Sequence, residues 1–106
     1  MIRKAFKIQA RLGMELEYER RHNPIWPELK GVLKQHGISN YSIFLHQETN
    51  YLFCYMEIED EKSFQNLSNS ETCRKWWQSM TEVLICENDN SVKAKEDELR
   101  EVFHLP

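Results

Sequence analysis

The chain has 106 residues, a net charge of −3 at neutral pH and an apolar content of 41%. This length fits one domain, so we take residues 1–106 as a single domain, and the interspersed charges argue against the concentrated basic surface that nucleic-acid binding requires. No apolar run approaches the roughly 20 residues that span a bilayer, and the N-terminus lacks the continuous apolar stretch of a signal peptide, so we expect a cytoplasmic protein without a membrane partner.

The N-terminal segment predicts a strand followed by a helix. Apolar and charged residues alternate over residues 2–11, which is the pattern of a half-buried strand. Gly13 then opens a helical stretch, in which Met14, Tyr18 and His22 follow one another at intervals of four residues. Because residues four apart share one face of a helix, these three side chains should lie side by side.

A second helical segment should follow a break at Asn23-Pro24, because the residue before a proline disfavours the helical conformation. Pro27 suits the first turn of that segment, since the N–H that proline lacks would have no partner there. Gly37 can then adopt the left-handed conformation that ends many helices. The region before residue 38 therefore predicts two helical pieces.

Two strands joined by a short turn are predicted over residues 39–46 and 50–59. The second strand is apolar on both faces, with Leu52, Cys54, Met56 and Ile58 on one and Tyr51, Phe53 and Tyr55 on the other. In so small a domain, a strand of this kind needs a covering layer on each side. A partner subunit is the simplest source of the second layer, so we expect a homodimer.

The C-terminal half predicts a short helix over residues 60–69, a longer helix and a last strand. Ser68 and Glu71 have the spacing of a capping box at the start of the longer helix. This helix carries the apolar side chains Cys73, Trp76, Trp77, Met80, Val83 and Leu84. Residues 86–97 are polar and irregular, and the segment ELREVFHL at residues 98–105 alternates as a strand does.

The resulting order, β-α-β-β-α-β, is that of a ferredoxin-like α+β domain. In this arrangement helices cover one face of an antiparallel sheet and leave the other face bare. Two bare faces that pack together form a dimeric α+β barrel, which is the fold class that we predict.

Five side chains on three predicted elements have the character of a sugar-binding site with an acid/base group: Tyr18, His22, Tyr41, Trp76 and Trp77. Aromatic rings pack on the C–H faces of a pyranose, and Tyr and Trp add a polar group. Histidine titrates near neutral pH and so can exchange protons. On pattern alone Tyr18 and the tryptophans also fit a hydrophobic core, although adjacent helical positions diverge by about 100°, so both tryptophans cannot enter one core.

No cofactor or metal is expected. The sequence holds no phosphate-binding glycine loop and no dinucleotide fingerprint. Glu19 and His22 form one E-x-x-H spacing, whereas di-iron sites need two copies and further glutamates. Cys54 and Cys73 lie in apolar patterns and are interpreted as buried thiols. The remaining histidines are interpreted as structural or solvated: His36, His46 and His104.

The sequence resembles the L-rhamnose mutarotase family nearly from end to end. The central block of the resemblance is Tyr18-Glu-Arg-Arg-His-Asn-Pro-Ile-Trp-Pro-Glu-Leu29. Further matches are Met-Ile-Arg-Lys-Ala-Phe6, His36-Gly with Asn40-Tyr41, Cys-Arg-Lys-Trp-Trp77, Asp89-Asn-Ser91 and Glu101-Val-Phe-His-Leu-Pro106. The central block is long and unusual, which makes the resemblance specific.

The resemblance implies a homodimeric isomerase that works without metal or cofactor. Its implied reaction interconverts the α and β anomers of L-rhamnopyranose by acid/base ring opening and closure. It places the catalytic acid at His22 and the sugar-binding positions at Tyr18, Tyr41, Trp76 and Trp77. The partner base stays open between Tyr18, a water molecule and a sugar hydroxyl.

This chain departs from the family pattern at Arg11-Leu12-Gly13, in residues 86–97 and at His104, where a tyrosine is expected. Because a fold alone does not decide an activity, two alternatives stay open. One is a cofactor-free monooxygenase or haem-degrading enzyme on the same fold, and the other is a non-catalytic sugar-binding module. The pairing of His22 with Tyr18 favours catalysis, since a binding module needs no proton-transfer group. The residues alone do not fix which hexose is bound.

Overall fold

A computed structural model describes all 106 residues, from Met1 to Pro106. The four strands are β1 (Ile2–Gln9), β2 (Ile38–His46), β3 (Tyr51–Ile58) and β4 (Asp97–Leu99). The four α-helices are α1 (Glu15–Arg21), α2 (Pro27–Gln35), α3 (Glu61–Gln65) and α4 (Glu71–Met80), and a short 3-10 helix (Asn66–Asn69) joins the last two. None of these helices combines the length and apolar character that crossing a membrane demands.

The strands form one antiparallel sheet in the order β2-β3-β1-β4. β1 pairs with β3 in unbroken register, from Ile2 opposite Ile58 to Gln9 opposite Tyr51. The segment between β1 and β2 and the segment between β3 and β4 each hold two α-helices, as the sequence predicts. The α+β class and the β-α-β-β-α-β order are therefore confirmed.

One face of the sheet is buried beneath the helices, and we call it the covered face. Its β3 side chains are nearly inaccessible and alternate along the strand: Leu52, Cys54, Met56 and Ile58. The opposite face, which we call the open face, leaves Phe44 and Phe53 exposed to 66% and 39%. The helices of a single chain thus cover one side of the sheet only.

The predicted helix boundaries in the first half are confirmed. α1 ends before Asn23-Pro24, and Pro27 is the first residue of α2. Gly37 follows α2 with a φ of +78°, which is the left-handed cap that the sequence predicts. A Cβ at Gly37 would lie 2.9 Å from the Cβ of Glu59, so glycine is also required by space.

The predicted capping box is wrong. The cap of α4 is Ser70, whose hydroxyl accepts a hydrogen bond of 3.2 Å from the N–H of Cys73, while the hydroxyl of Ser68 donates to the carbonyl of Gln65. The 3-10 helix accounts for the difference, because it occupies residues 66–69 and delays the start of α4. α4 also ends at Met80, so Val83 and Leu84 are buried in the segment that follows it.

The predicted C-terminal strand over residues 98–105 is also wrong in its extent. β4 pairs with β1 only from Asp97 to Leu99, and the backbone beyond it is unpaired. A strand requires a neighbouring strand that pairs with its backbone N–H and C=O groups. Beyond Leu99 the contact with β1 continues only through a side-chain ion pair between Arg3 and Glu101, at 2.9 Å. The apolar side chains beyond it stay exposed: Val102, Phe103 and Leu105.

Candidate active site

A cavity of about 500 Å³ lies on the covered side of the sheet between the end of α1, α2, β2 and α4, and we call it the cleft. Its volume falls within the roughly 300–1,000 Å³ of small-molecule sites. Four of the five predicted site residues line it: His22, Tyr41, Trp76 and Trp77. Sequence positions from 22 to 77 are thus brought to one place by the fold.

His22 is the C-cap residue of α1 and lines the cleft. Its Nδ1 lies 2.8 Å from the carbonyl oxygen of Tyr18, one turn earlier. Because a carbonyl can only accept, Nδ1 carries the proton in the neutral imidazole, and Nε2 keeps its lone pair. Burial lowers the pKa of His22, and the bond to the Tyr18 carbonyl opposes that shift in part. The imidazole is therefore held in one tautomer and favours the neutral form.

Aromatic rings fix the orientation of His22 from two sides. The ring centroid of Tyr18 lies 4.3 Å from that of His22, and the indole of Trp76 stands edge-on at 5.1 Å. Trp26 in turn packs edge-on against Trp76 at 5.0 Å. These tilted and edge-on contacts leave the imidazole little freedom to rotate, which suits a group that must meet its target in one geometry.

Tyr18 is the one predicted site residue that does not line the cleft. It is buried on the inner face of α1, beneath His22. Burial raises the pKa of its hydroxyl, so Tyr18 is neutral near physiological pH. An un-ionised phenol is a poor base, and the contact that the structure assigns to Tyr18 is the support of the His22 ring.

Tyr41 reaches the cleft from β2. Its residue as a whole is 38% exposed, yet its hydroxyl is buried. Burial, with further contributions from Cys54 and Tyr18, raises the pKa of Tyr41 well above its usual value. The group therefore stays protonated and keeps its proton for hydrogen bonding.

Trp76 and Trp77 both border the cleft although they are adjacent in α4. Trp76 is buried among the other rings, while Trp77 is half-buried at the rim. The ammonium of Lys93 lies 4.2 Å from the centre of the Trp77 ring and 3.3 Å from a carboxylate oxygen of Glu96. A cation over an indole is attracted by the negative face of the ring.

Lys93 and Glu96 were not predicted as neighbours of the site. They come from the irregular segment after α4, and with Tyr41 and Trp77 they line a second cavity of about 190 Å³ beside the cleft. Periodicity carries no signal for such residues, because their place depends on where an irregular segment returns to the fold.

The thiols of Cys54 and Cys73 are buried, as the sequence predicts. Burial raises the pKa of Cys54 to about 12 and that of Cys73 to about 11, so neither is a thiolate nucleophile near neutral pH. The chain also brings together no group of three His, Cys, Asp or Glu side chains that could hold a metal ion.

The other histidines have local partners or lie elsewhere. His36 bonds the carbonyl of Val32 at 2.8 Å, and His46 bonds the hydroxyl of Thr49 at 2.8 Å. His104 borders a separate cavity beside Arg3, away from the cleft of its own chain. The departure at His104 therefore does not alter the cleft within a single chain.

Comparisons with known proteins agree on one family. Residues 3–105 match the family described as L-rhamnose mutarotase. Proteins named L-rhamnose mutarotase from Shigella flexneri and Opitutus terrae are 48% and 51% identical, over 100% and 99% of both chains. The crystal structure of L-rhamnose mutarotase from Formosa agariphila matches with a TM-score of 0.87 at 38% identity, and each chain is covered completely. The chain therefore belongs to the L-rhamnose mutarotase family of isomerases.

Proposed function

We propose that this chain interconverts the α and β anomers of L-rhamnopyranose, with His22 as the proton donor to the ring oxygen. The observation that carries the proposal is the free Nε2 of His22 at a cleft of about 500 Å³ with aromatic walls. The names of the relatives supply the sugar, since each of them is an L-rhamnose mutarotase.

Ring opening moves one proton from the anomeric hydroxyl to the ring oxygen. Nε2 of neutral His22 takes the hydroxyl proton, the C1=O double bond forms, and the C1–O5 bond breaks with its electron pair on O5. The imidazolium then returns the proton from Nε2 to O5, so that atoms and charge balance. Rotation about the C1–C2 bond and closure on the other face of the aldehyde reverse these steps. A group with a pKa near neutrality is suited to both transfers.

The geometry disfavours Tyr18 as the partner base. The raised pKa of Tyr18 and its position outside the cleft lining argue against Tyr18 as a base. Nε2 can take and return the proton itself, because both sugar oxygens are bonded to C1. Tyr18 then acts by supporting the imidazole, whose ring centroid lies 4.3 Å from that of Tyr18.

Substrate binding is assigned to Tyr41, Trp76 and Trp77. The indole faces supply apolar surface for the C–H groups of the pyranose, and the Tyr41 hydroxyl supplies a donor for a sugar oxygen. Their support is that all three line the cleft with His22.

The single domain of residues 1–106 acts as a homodimer in the cytoplasm in this proposal. The exposed aromatic residues of the open face, Phe44 and Phe53, support a second copy as the missing layer. Three free cysteines are typical of a reducing compartment.

Saturation-transfer NMR on equilibrated L-rhamnose tests the activity. Irradiation of one anomeric proton should reduce the signal of the other with the wild-type protein and much less with His22→Ala. If the wild-type protein transfers no saturation for L-rhamnose or for a panel of related hexoses, the mutarotase proposal is wrong. Sugar binding without exchange would then favour a binding module, and oxidation of an added substrate would favour an oxygenase.

A further inference from the structure

The register between β2 and β3 is interrupted once, beside the cleft. Ser39 lies opposite Glu57 and Ser42 lies opposite Tyr55, so that Asn40 and Tyr41 together face the single residue Met56. Two residues against one define a β-bulge. The interruption therefore inserts one extra residue into β2.

The extra residue changes the face on which Tyr41 lies. Side chains alternate along a strand, so without the bulge Tyr41 would share the open face with Ser39. With the bulge, Ser42 pairs with Tyr55 on the open face, and Tyr41 lies on the covered face between Ile38 and Ile43. Tyr41 lines the cleft because β2 gains a residue immediately before it.

Asn40 has the backbone conformation that makes the extra residue possible. Its φ is +47°, in the left-handed region where asparagine is tolerated far better than most residues. Its amide Nδ2 donates a hydrogen bond of 2.9 Å to Glu57, whose other carboxylate oxygen accepts one of 2.9 Å from the Tyr55 hydroxyl. The hydrogen bond from Asn40, followed by the one from Tyr55, lowers the pKa of Glu57 and keeps this acceptor ionised.

We propose that Asn40 is a positioning residue, which through the bulge and its bond to Glu57 turns Tyr41 from the open face into the cleft. The inference rests on the proposed function, since the role of Tyr41 is to hold the sugar. It assigns to a residue of β2 the control of substrate affinity and leaves the proton transfer to His22.

Asn40→Val and Asn40→Gly distinguish the effect of the backbone conformation at residue 40 from the effect of its side chain. Valine resists a positive φ, so Asn40→Val should raise the KM for L-rhamnose about five- to tenfold, the size of one lost hydrogen bond, with kcat within about twofold. Glycine adopts the left-handed region freely, so Asn40→Gly should recover most of that loss. If Asn40→Val does not fold, Asn40→Ala is the milder replacement.

Asn50 provides the matched control. It is also an asparagine in the left-handed region, with a φ of +62°, but it lies in the turn before β3 and does not line the cleft. Asn50→Val should lower the melting temperature and leave the KM unchanged. An equal rise of KM in Asn40→Val and Asn50→Val would overturn the proposal, because both would then act through general destabilisation.

A double-mutant cycle with Tyr41→Phe tests whether Asn40 acts through Tyr41. If it does, Asn40→Val should add little to the KM of Tyr41→Phe, whereas fully additive effects would contradict the proposal. The ring resonances of Tyr41 provide a readout that needs no activity. They should shift in Asn40→Val even if the wild-type protein exchanged no anomers, so a failure of the proposed function is distinguishable from a failure of this one.

Discussion

Alternate side chains of β3 lie on two faces of the sheet that differ in burial. On β3, Leu52 is 3% exposed beneath the helices, while the next residue, Phe53, is 39% exposed on the open face. The covered face holds the core and one wall of the cleft, and the open face holds apolar side chains without a cover. The difference indicates that the cleft lies within one chain, and it agrees with the proposed second copy as the cover of the open face.

The largest effect should come from His22, which lies entirely on the covered side. His22→Ala should slow anomer exchange about 10²- to 10⁴-fold, because a positioned proton-transfer group is lost. His36→Ala is the control, since His36 also follows a helix and also bonds a carbonyl four residues earlier, but lies outside the cleft. Saturation-transfer NMR measures both. Near-full activity in His22→Ala would remove this residue from the mechanism.

The covered face should dominate the stability of the fold. Leu52→Ala should lower the free energy of unfolding by about 2–5 kcal/mol, because it removes methyl groups and leaves a cavity in a packed layer. Urea unfolding at several protein concentrations measures the loss, which should not depend on concentration. A loss below about 1 kcal/mol would mean that this layer repacks, in contrast to what its burial implies.

The open face should act on assembly instead. Phe53→Ala should weaken a homodimer about tenfold or more, since truncated interface aromatics often cost more than 1 kcal/mol. Analytical ultracentrifugation measures the dissociation constant, and anomer exchange on the same samples shows whether the monomer still works. A wild-type protein that stays monomeric at all concentrations would contradict the expected dimer.

The smallest effect is a pH dependence of stability that originates at His22. Burial lowers the pKa of His22 in the folded protein, so the unfolded chain binds more protons as the pH falls through about 6.5. The stabilising preference for the neutral form is therefore complete above that pH and is lost on acidification. Wild-type protein should lose more stability than His22→Gln between about pH 7.5 and pH 5.5. Equal losses in thermal melts would show that His22 titrates normally.

Periodicity predicted the helices and the hairpin, because each follows from one local repeat. The convergence of His22, Tyr41 and the tryptophans came from the predicted topology, since on pattern alone the tryptophans also fitted a core. Periodicity did not predict the bulge, since a register shift depends on the pairing of two strands. An asparagine before Tyr41 was the only sign of it. The alternation in residues 98–105 suggested a strand, but pairing also depends on a neighbour, and only Ala5–Lys7 accept β4.

Tyr18 is a second case in which local sequence spacing predicted only part of the structure. Its spacing from His22 predicted that the two side chains share a face of the helix, and their ring centroids lie 4.3 Å apart. Spacing on one helix does not tell which of two neighbours lines the cavity. That distinction depends on the depth at which α1 lies against the sheet.

The three tryptophans of the chain all lie in or beside the cleft, and none lies on the open face. Indole fluorescence therefore reports on one location in the molecule. A sugar that contacts Trp76 or Trp77 in the cleft should change the emission. Separation of two subunits at the open face should leave the same emission unaltered, so that one optical signal distinguishes occupancy of the cleft from dissociation.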